Sequence, residues 1–108
     1  MTADNAQAQT AARPLVHYVL FGPAEQPSTQ ANLLLAQDYL LAFAPAFGFS
    51  RAEAACAASV TIIADTTAVD EQVERDLAAG GAHVQRVAGS VREVAQALGQ
   101  RIATGKPF

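Results

Sequence analysis

Side chains able to do chemistry are sparse in this chain, and their spacing limits them further. His17, His83 and Cys56 supply its imidazole and thiol groups, and none stands at the short spacing from another donor that metal sites use. His17 lies inside an apolar run, where a histidine is expected as a hydrogen-bonded core or interface residue; His83 opens a more polar run and is expected at the surface. Cys56 sits within Ala54-Ala55-Cys56-Ala57-Ala58, surroundings expected to bury a thiol and keep it inert. A serine nucleophile would need a histidine beside it. Ser28, Ser50 and Ser90 are each placed to cap a helix, and Ser59 precedes a strand. No residue is assigned a catalytic role, no metal and no cofactor is expected, and the chain reads as a non-enzyme.

Three turns remain as binding candidates: Gly22-Pro23-Ala24-Glu25, Asp65-Thr66-Thr67 and Gly89-Ser90. A phosphate cradle needs glycines between a strand and a helix so that backbone N–H groups face the anion. Acids stand in the first two turns, and Gly89-Ser90 alone could hold an anion at a helix start. If the preceding strands run parallel, all three turns line one rim, where ligands of open parallel sheets collect. Gly22, Asp65, Thr66, Thr67, Gly89 and Ser90 therefore form a candidate ligand rim. Its hydroxyls, single carboxylate and free backbone suit neutral polar groups such as sugar hydroxyls.

The elements that must position this rim follow from local patterns. Residues 15–21 are a short apolar run with β-branched and aromatic members, stopped by Gly22-Pro23, and predict a strand covered on both faces. After a loop over 22–30, Ser28 or Thr29 is expected to cap a helix running to about Ala44 and ended by Pro45 and Gly48. Apolar residues nearly encircle that helix, leaving Gln37 and Asp38 as a thin polar line, so burial on most sides is expected. Ser50 and Glu53 have capping-box spacing, with Phe49 as a staple, and open a short helix through Ala58. Residues 60–64 predict a second strand. Thr67 with Asp70 opens a helix striped by Val69, Val73 and Leu77 and stopped by Gly80-Gly81. Residues 83–88 predict a third strand at a sheet edge, and Ser90 with Glu93 opens a last helix that Gly105 ends.

The resulting order, β-α-α-β-α-β-α, predicts a small α/β domain of Rossmann-like type over residues 15–108. It is a two-layer or three-layer sandwich with a three-stranded parallel sheet and helices on its faces. The first strand is expected at the centre, between the other two (order 2-1-3), ahead of the alternative order 3-2-1. One apolar sheet edge would then need cover from the long linker, another subunit or a neighbouring domain. Residues 1–14, Ala- and Gln-rich and closed by Pro14, read as a flexible tail.

Composition narrows the classes of function. With 108 residues, 51% apolar and 16% charged against the usual ~25% charged, the chain can fill one core. Its 25 alanines and lack of Trp leave the large core contacts to Leu, Val, Ile, Phe and Tyr. A net charge of −3 gives no basic surplus to neutralise phosphates, which argues against nucleic-acid binding. No apolar run reaches the ~18–20 residues that cross a bilayer. The start lacks the basic and apolar regions of a secretion signal, so an independent chain is expected in the cytoplasm, and outside the cell only as a fragment of a secreted protein.

The stretch Val60-Thr61-Ile62-Ile63-Ala64-Asp65, the helical Val69 to Leu77, and Val84-Gln85-Arg86-Val87-Ala88-Gly89 together resemble the bacterial cell-wall-binding repeat 2 family. The family pairs a strand and helix with a strand closing in Arg-x-x-Gly, the spacing of Arg86 and Gly89 here. Tyr18 to Gly22 with Leu33 to Leu41 is loosely similar to the other strand–helix pair of the repeat, and to accessory modules beside bacterial glycan hydrolases. Ala64-Asp65 replaces the family's usual double glycine, and Ser90-Val91-Arg92 its Asp-Arg-Tyr type motif. The resemblance implies an α/β fold and contact with cell-wall glycan.

The expectation for function is a non-catalytic interaction or binding module that forms homo-oligomers or docks on a protein partner, because no active site assembles and the apolar surplus is concentrated in residues 33–64. A separate reading is a structural piece of a larger assembly with Phe43, Phe47, Phe49 and Phe108 as apolar anchors. The alternative is a small-molecule or enzymatic site at the strand rim, with Asp65 as acid or base and Ser90 orienting the ligand.

Overall fold

The computed structural model describes residues 15–108, so the tail expected over residues 1–14 lies outside the described part. The apolar, β-branched runs form β1 (Leu15–Phe21) and β3 (Ala57–Ile63), and the more polar run forms β4 (His83–Val87). A further strand, β2 (Ala46–Gly48), follows helix α1 (Pro27–Phe43). Helices α2 (Arg51–Ala54), α3 (Glu71–Ala79) and α4 (Val91–Thr104) complete the chain. All strands run parallel in one sheet ordered β2-β1-β3-β4.

The sheet therefore has four strands where three were expected, and the element order is β-α-β-α-β-α-β-α. The missed strand spans only three residues between Pro45 and Phe49, too short to show alternation. It pairs along the outer edge of β1, with Tyr18 opposite Ala46 and Val19 opposite Phe47. The linker thus covers the apolar edge itself. The expected order of the remaining strands is corrected as well: β4 pairs with β3, not with β1, and its edge position holds.

Side chains alternate between two faces. On one face Tyr18, Leu20, Val60 and Ile62 pack with Val69, Val73 and Leu77 from the α3 side. On the other, Val19, Phe21, Ile63 and Val87 pack with Ala36 and Tyr39 of α1 and Val94 and Leu98 of α4. β1 and β3 are buried on both faces over their carboxyl-terminal four residues, where their apolar runs are densest.

Helix ends explain several shifted boundaries. Pro27 starts α1 at its first positions, with Gln26 as a cap that makes no side-chain bond, so Ser28 and Thr29 lie inside the helix rather than capping it. Ala44 closes α1 in the left-handed conformation at φ 47°. Asp70, not Thr67, caps α3, because the Thr67 hydroxyl is engaged by Asp65. The helix expected through Ala58 lasts a single turn, and Ala57 and Ala58 already belong to β3. Ser90 and Glu93 form a complete, reciprocal capping box at α4.

Candidate functional site

The carboxyl ends of the strands hold the six candidate rim residues, but Gly22, Asp65, Thr67, Gly89 and Ser90 are engaged locally. Gly22 is buried: a Cβ there would stand 2.8 Å from both Ala68 Cβ and Thr29 Oγ1, so only glycine lets the Ala68 loop close onto the end of β1. Thr29 Oγ1, enclosed at this contact, has no hydrogen-bond partner among the described residues. Asp65 folds its own loop. Oδ1 accepts from the Thr67 hydroxyl at 2.6 Å, the Thr67 amide at 3.1 Å and the Ala68 amide at 3.0 Å. The Thr67 hydroxyl, followed by the Ala68 amide, holds its carboxyl below the usual carboxylate range. Such a carboxylate stays ionised at neutral pH and is a weak proton acceptor.

Thr66 lies beside Asp70, Glu71 and Arg75. Gly89 turns the chain at φ 125° into the Ser90 cap, where Ser90 Oγ accepts from the Glu93 amide at 3.2 Å and Glu93 Oε1 accepts from the Ser90 amide at 2.9 Å. A crevice of about 230 Å³ does open near the ends of β1 and β2. Of the six residues only Gly22 lines it, alongside Leu20, Phe21, Pro23, Phe49, Arg51, Ala68 and Val69.

Arg86 fixes the Asp65 loop from beneath. Its Nη1 donates to the Ala64 carbonyl and its Nη2 to the Val69 carbonyl, both at 2.7 Å, while Nε pairs with Glu74 on α3. The guanidinium is largely buried, and each of its three nitrogens donates one hydrogen bond.

A second group of polar residues, which the sequence did not bring together, lies beside β1 and β2. Tyr18 donates its hydroxyl to Glu53 Oε1 at 2.8 Å and also meets the Ser50 backbone amide. The phenol thereby stands between the two partners of the expected capping box: Ser50 Oγ accepts from the Glu53 amide at 3.1 Å, but the Glu53 carboxylate turns to Tyr18. Burial, then the bond to Glu53, pushes the Tyr18 phenol up to about 12. Gly48 makes room for it, since a Cβ there would come within 2.5 Å of the phenol oxygen.

A trough of about 500 Å³ lies beside this pair, lined by Leu15, Tyr18, Pro45, Ala46, Phe47, Glu53 and Cys56. Cys56 is only half-buried, not enclosed as expected, with its Sγ 3.5 Å from the Ala52 carbonyl oxygen. On the other face, His17, Ser59 and His83 stand in one row across β1, β3 and β4. His17 Nε2 shares a 3.0 Å hydrogen bond with the buried hydroxyl of Thr61, and burial lowers the His17 pKa. His83 is exposed, as expected. Among the described residues no group of His, Cys, Asp and Glu could hold a metal ion.

The surface also shows large apolar side chains. On α1, Leu34 and Leu41 are 74% and 75% exposed, which corrects the expectation of a helix buried on most sides: Ala36 and Tyr39 face the sheet, and this stripe faces outward. Seven residues apart, the two leucines lie on one stripe of the helix. Phe47 and Phe49, at and just beyond β2, are 50% and 46% exposed while their rings contact that of Phe21. Phe43 and Phe108 instead pack against Tyr39. Among the described residues no helix is long and apolar enough to cross a membrane.

The fold places the chain in the α/β class with a doubly wound parallel sheet. No family model, no curated protein and no solved structure matches it.

Proposed function

We infer that this chain is an interaction module that associates with a second copy of itself through the outer stripe of α1 and the neighbouring β2 edge. The observation that carries the reading is the exposure of Leu34 and Leu41 on a helix whose other side already fills the core. Scattered apolar residues on a surface need no explanation, but two leucines on one stripe, in the same crossover as Phe47 and Phe49, suit a contact surface. The free edge of β2 adds unpaired backbone groups able to extend the sheet.

The energetics favour a modest complex. Burying a leucine or phenylalanine completely is worth about 1.5–3 kcal/mol, and these side chains are already partly covered. A twofold contact uses each of them twice. A micromolar dimer needs a surplus of about 8 kcal/mol over the ~4–15 kcal/mol cost of association. This gain reaches that surplus only where the cost lies near its lower end, so the complex is micromolar at best rather than nanomolar. Replacing Leu34 and Leu41 together by Glu tests the reading: the double variant should fold as before and sediment as a monomer where the unmodified chain sediments as a dimer. A double variant with unchanged association would remove α1 from the interface.

A further inference from the structure

Parallel sheets are normally covered on both faces by full crossover helices. Here the connection from β2 to β3 carries only α2, four residues long. At ~1.5 Å per residue that turn spans about 6 Å, while the seven residues of β1 extend over roughly 23 Å. The face formed by Tyr18 and Ala46 is therefore left partly roofless, and the trough of about 500 Å³ lies there. Its volume falls in the range of small-molecule sites, and its walls are mostly apolar, with few polar groups.

The polar groups sit on one side. Glu53 Oε1 accepts from Tyr18, and no cation among the described residues pairs with the Glu53 carboxylate. A carboxylate at the margin of an apolar trough favours a positively charged head over an apolar body. The Tyr18 hydroxyl fixes the orientation of that carboxylate, and the Cys56 thiol stands on the same wall.

We propose that this trough is a binding site for small amphipathic cations, with a protonated amine at Glu53 and an alkyl or aryl body over Leu15, Pro45 and Ala46. The trough borders β2 at Ala46 and Phe47, while its anchoring carboxylate, Glu53, lies outside the surface proposed for self-association.

Hexylamine, hexanol and hexanoate test the proposal against the full chain, read by the rate at which an aromatic disulfide reagent modifies Cys56 and by backbone amide shifts. Hexylamine should slow Cys56 modification with an affinity on the order of millimolar, and should shift the amides of Leu15, Tyr18 and Ala46. Hexanol should need several-fold higher concentration, and hexanoate should protect least. Glu53→Gln should erase the advantage of the amine while leaving hexanol unchanged. Ala46→Leu, which narrows the trough without touching Glu53, should weaken all three probes together. Equal protection by hexanoate, an amine preference that survives Glu53→Gln, or shifts that avoid these residues would each overturn the proposal. Because the three probes and the Glu53→Gln variant are compared at one chain concentration, the ranking of the probes fails or stands separately from the self-association reading.

Discussion

Arg86 on β4 pairs its Nε with Oε1 of Glu74 on α3, twelve residues earlier, while its other nitrogens hold the carbonyls of Ala64 and Val69. Those carbonyls bracket the loop that contains Asp65, Thr66 and Thr67. One side chain from the edge strand thus fixes the end of β3, the entry to α3 and the loop between them. Its guanidinium also lowers the Asp65 pKa, as the smallest of the contributing effects. The residue that carried the Arg-x-x-Gly spacing serves, in this structure, as a clamp on the fold.

Arg86→Leu should destabilise the chain by about 2–4 kcal/mol, because Glu74 loses its partner and two carbonyls lose their donors. Glu74 is partly exposed, so Glu74→Gln should cost only about 1 kcal/mol. Denaturant titration measures both, and hydrogen exchange should show faster opening around Asp65 in the Arg86 variant. A change below about 0.5 kcal/mol for Arg86→Leu would mean that the clamp carries no stability.

Tyr18 gives a pH-dependent test. Its folded pKa of about 12 lies above the unfolded value near 10, so folding favours the protonated phenol. The associated stability is complete below pH ~10 and is lost as pH rises toward 12. Tyr18→Phe should cost about 1–2 kcal/mol at neutral pH and flatten the decline between pH 10 and 12. An alkaline stability profile unaltered by the substitution would contradict the raised pKa of the buried Tyr18 phenol.

Most of the framework was legible because the strongest local signals were of the kinds that tertiary packing rarely overrides. The apolar runs around Val19 and Ile62 became the doubly covered strands, and Ser90 with Glu93 became a working capping box. β2 was hidden because three residues flanked by Pro45 carry no period. The Ser50–Glu53 pair has the same spacing as Ser90–Glu93, yet its carboxylate turns to a tyrosine 35 residues distant, a competition that local spacing cannot register. The candidate rim failed to converge for a related reason: Asp65, Thr67 and Ser90 satisfy nearby backbone amides first. The trough beside Tyr18 arises from a helix too short to cover the sheet, and the length of α2 was overestimated from sequence.

His17 should make the fold acid-sensitive. Burial lowers its pKa below the unfolded 6.5, so the unfolded chain takes up the proton first as pH falls. Stability should be independent of this group above pH ~7 and decline as pH drops below 6.5, levelling once the folded His17 is itself protonated. Ser59 and Thr61 are the polar neighbours from β3, and neither carries a charge to offset the imidazolium. Urea midpoints between pH 7.5 and 5 should fall less for His17→Gln than for the unmodified chain. Parallel declines would show that His17 does not couple folding to pH.

Two glycines should respond in opposite directions. Gly99, inside α4, has open space where a Cβ would stand, so Gly99→Ala should stabilise by about 0.5–1 kcal/mol. Gly22→Ala would push into Ala68 and Thr29 and should destabilise by about 1–3 kcal/mol. Thermal melts of the two variants decide the matter, and a tolerated Gly22→Ala would show that the Ala68 loop does not close on β1.

Sedimentation velocity of the unmodified chain over a concentration series tests self-association most directly. The sedimentation coefficient should rise from the monomer value for 108 residues toward that of a dimer across the micromolar range, and added salt should weaken this rise little, because the surface is apolar. A single monomeric species up to several hundred micromolar would contradict a contact built on Leu34, Leu41, Phe47 and Phe49.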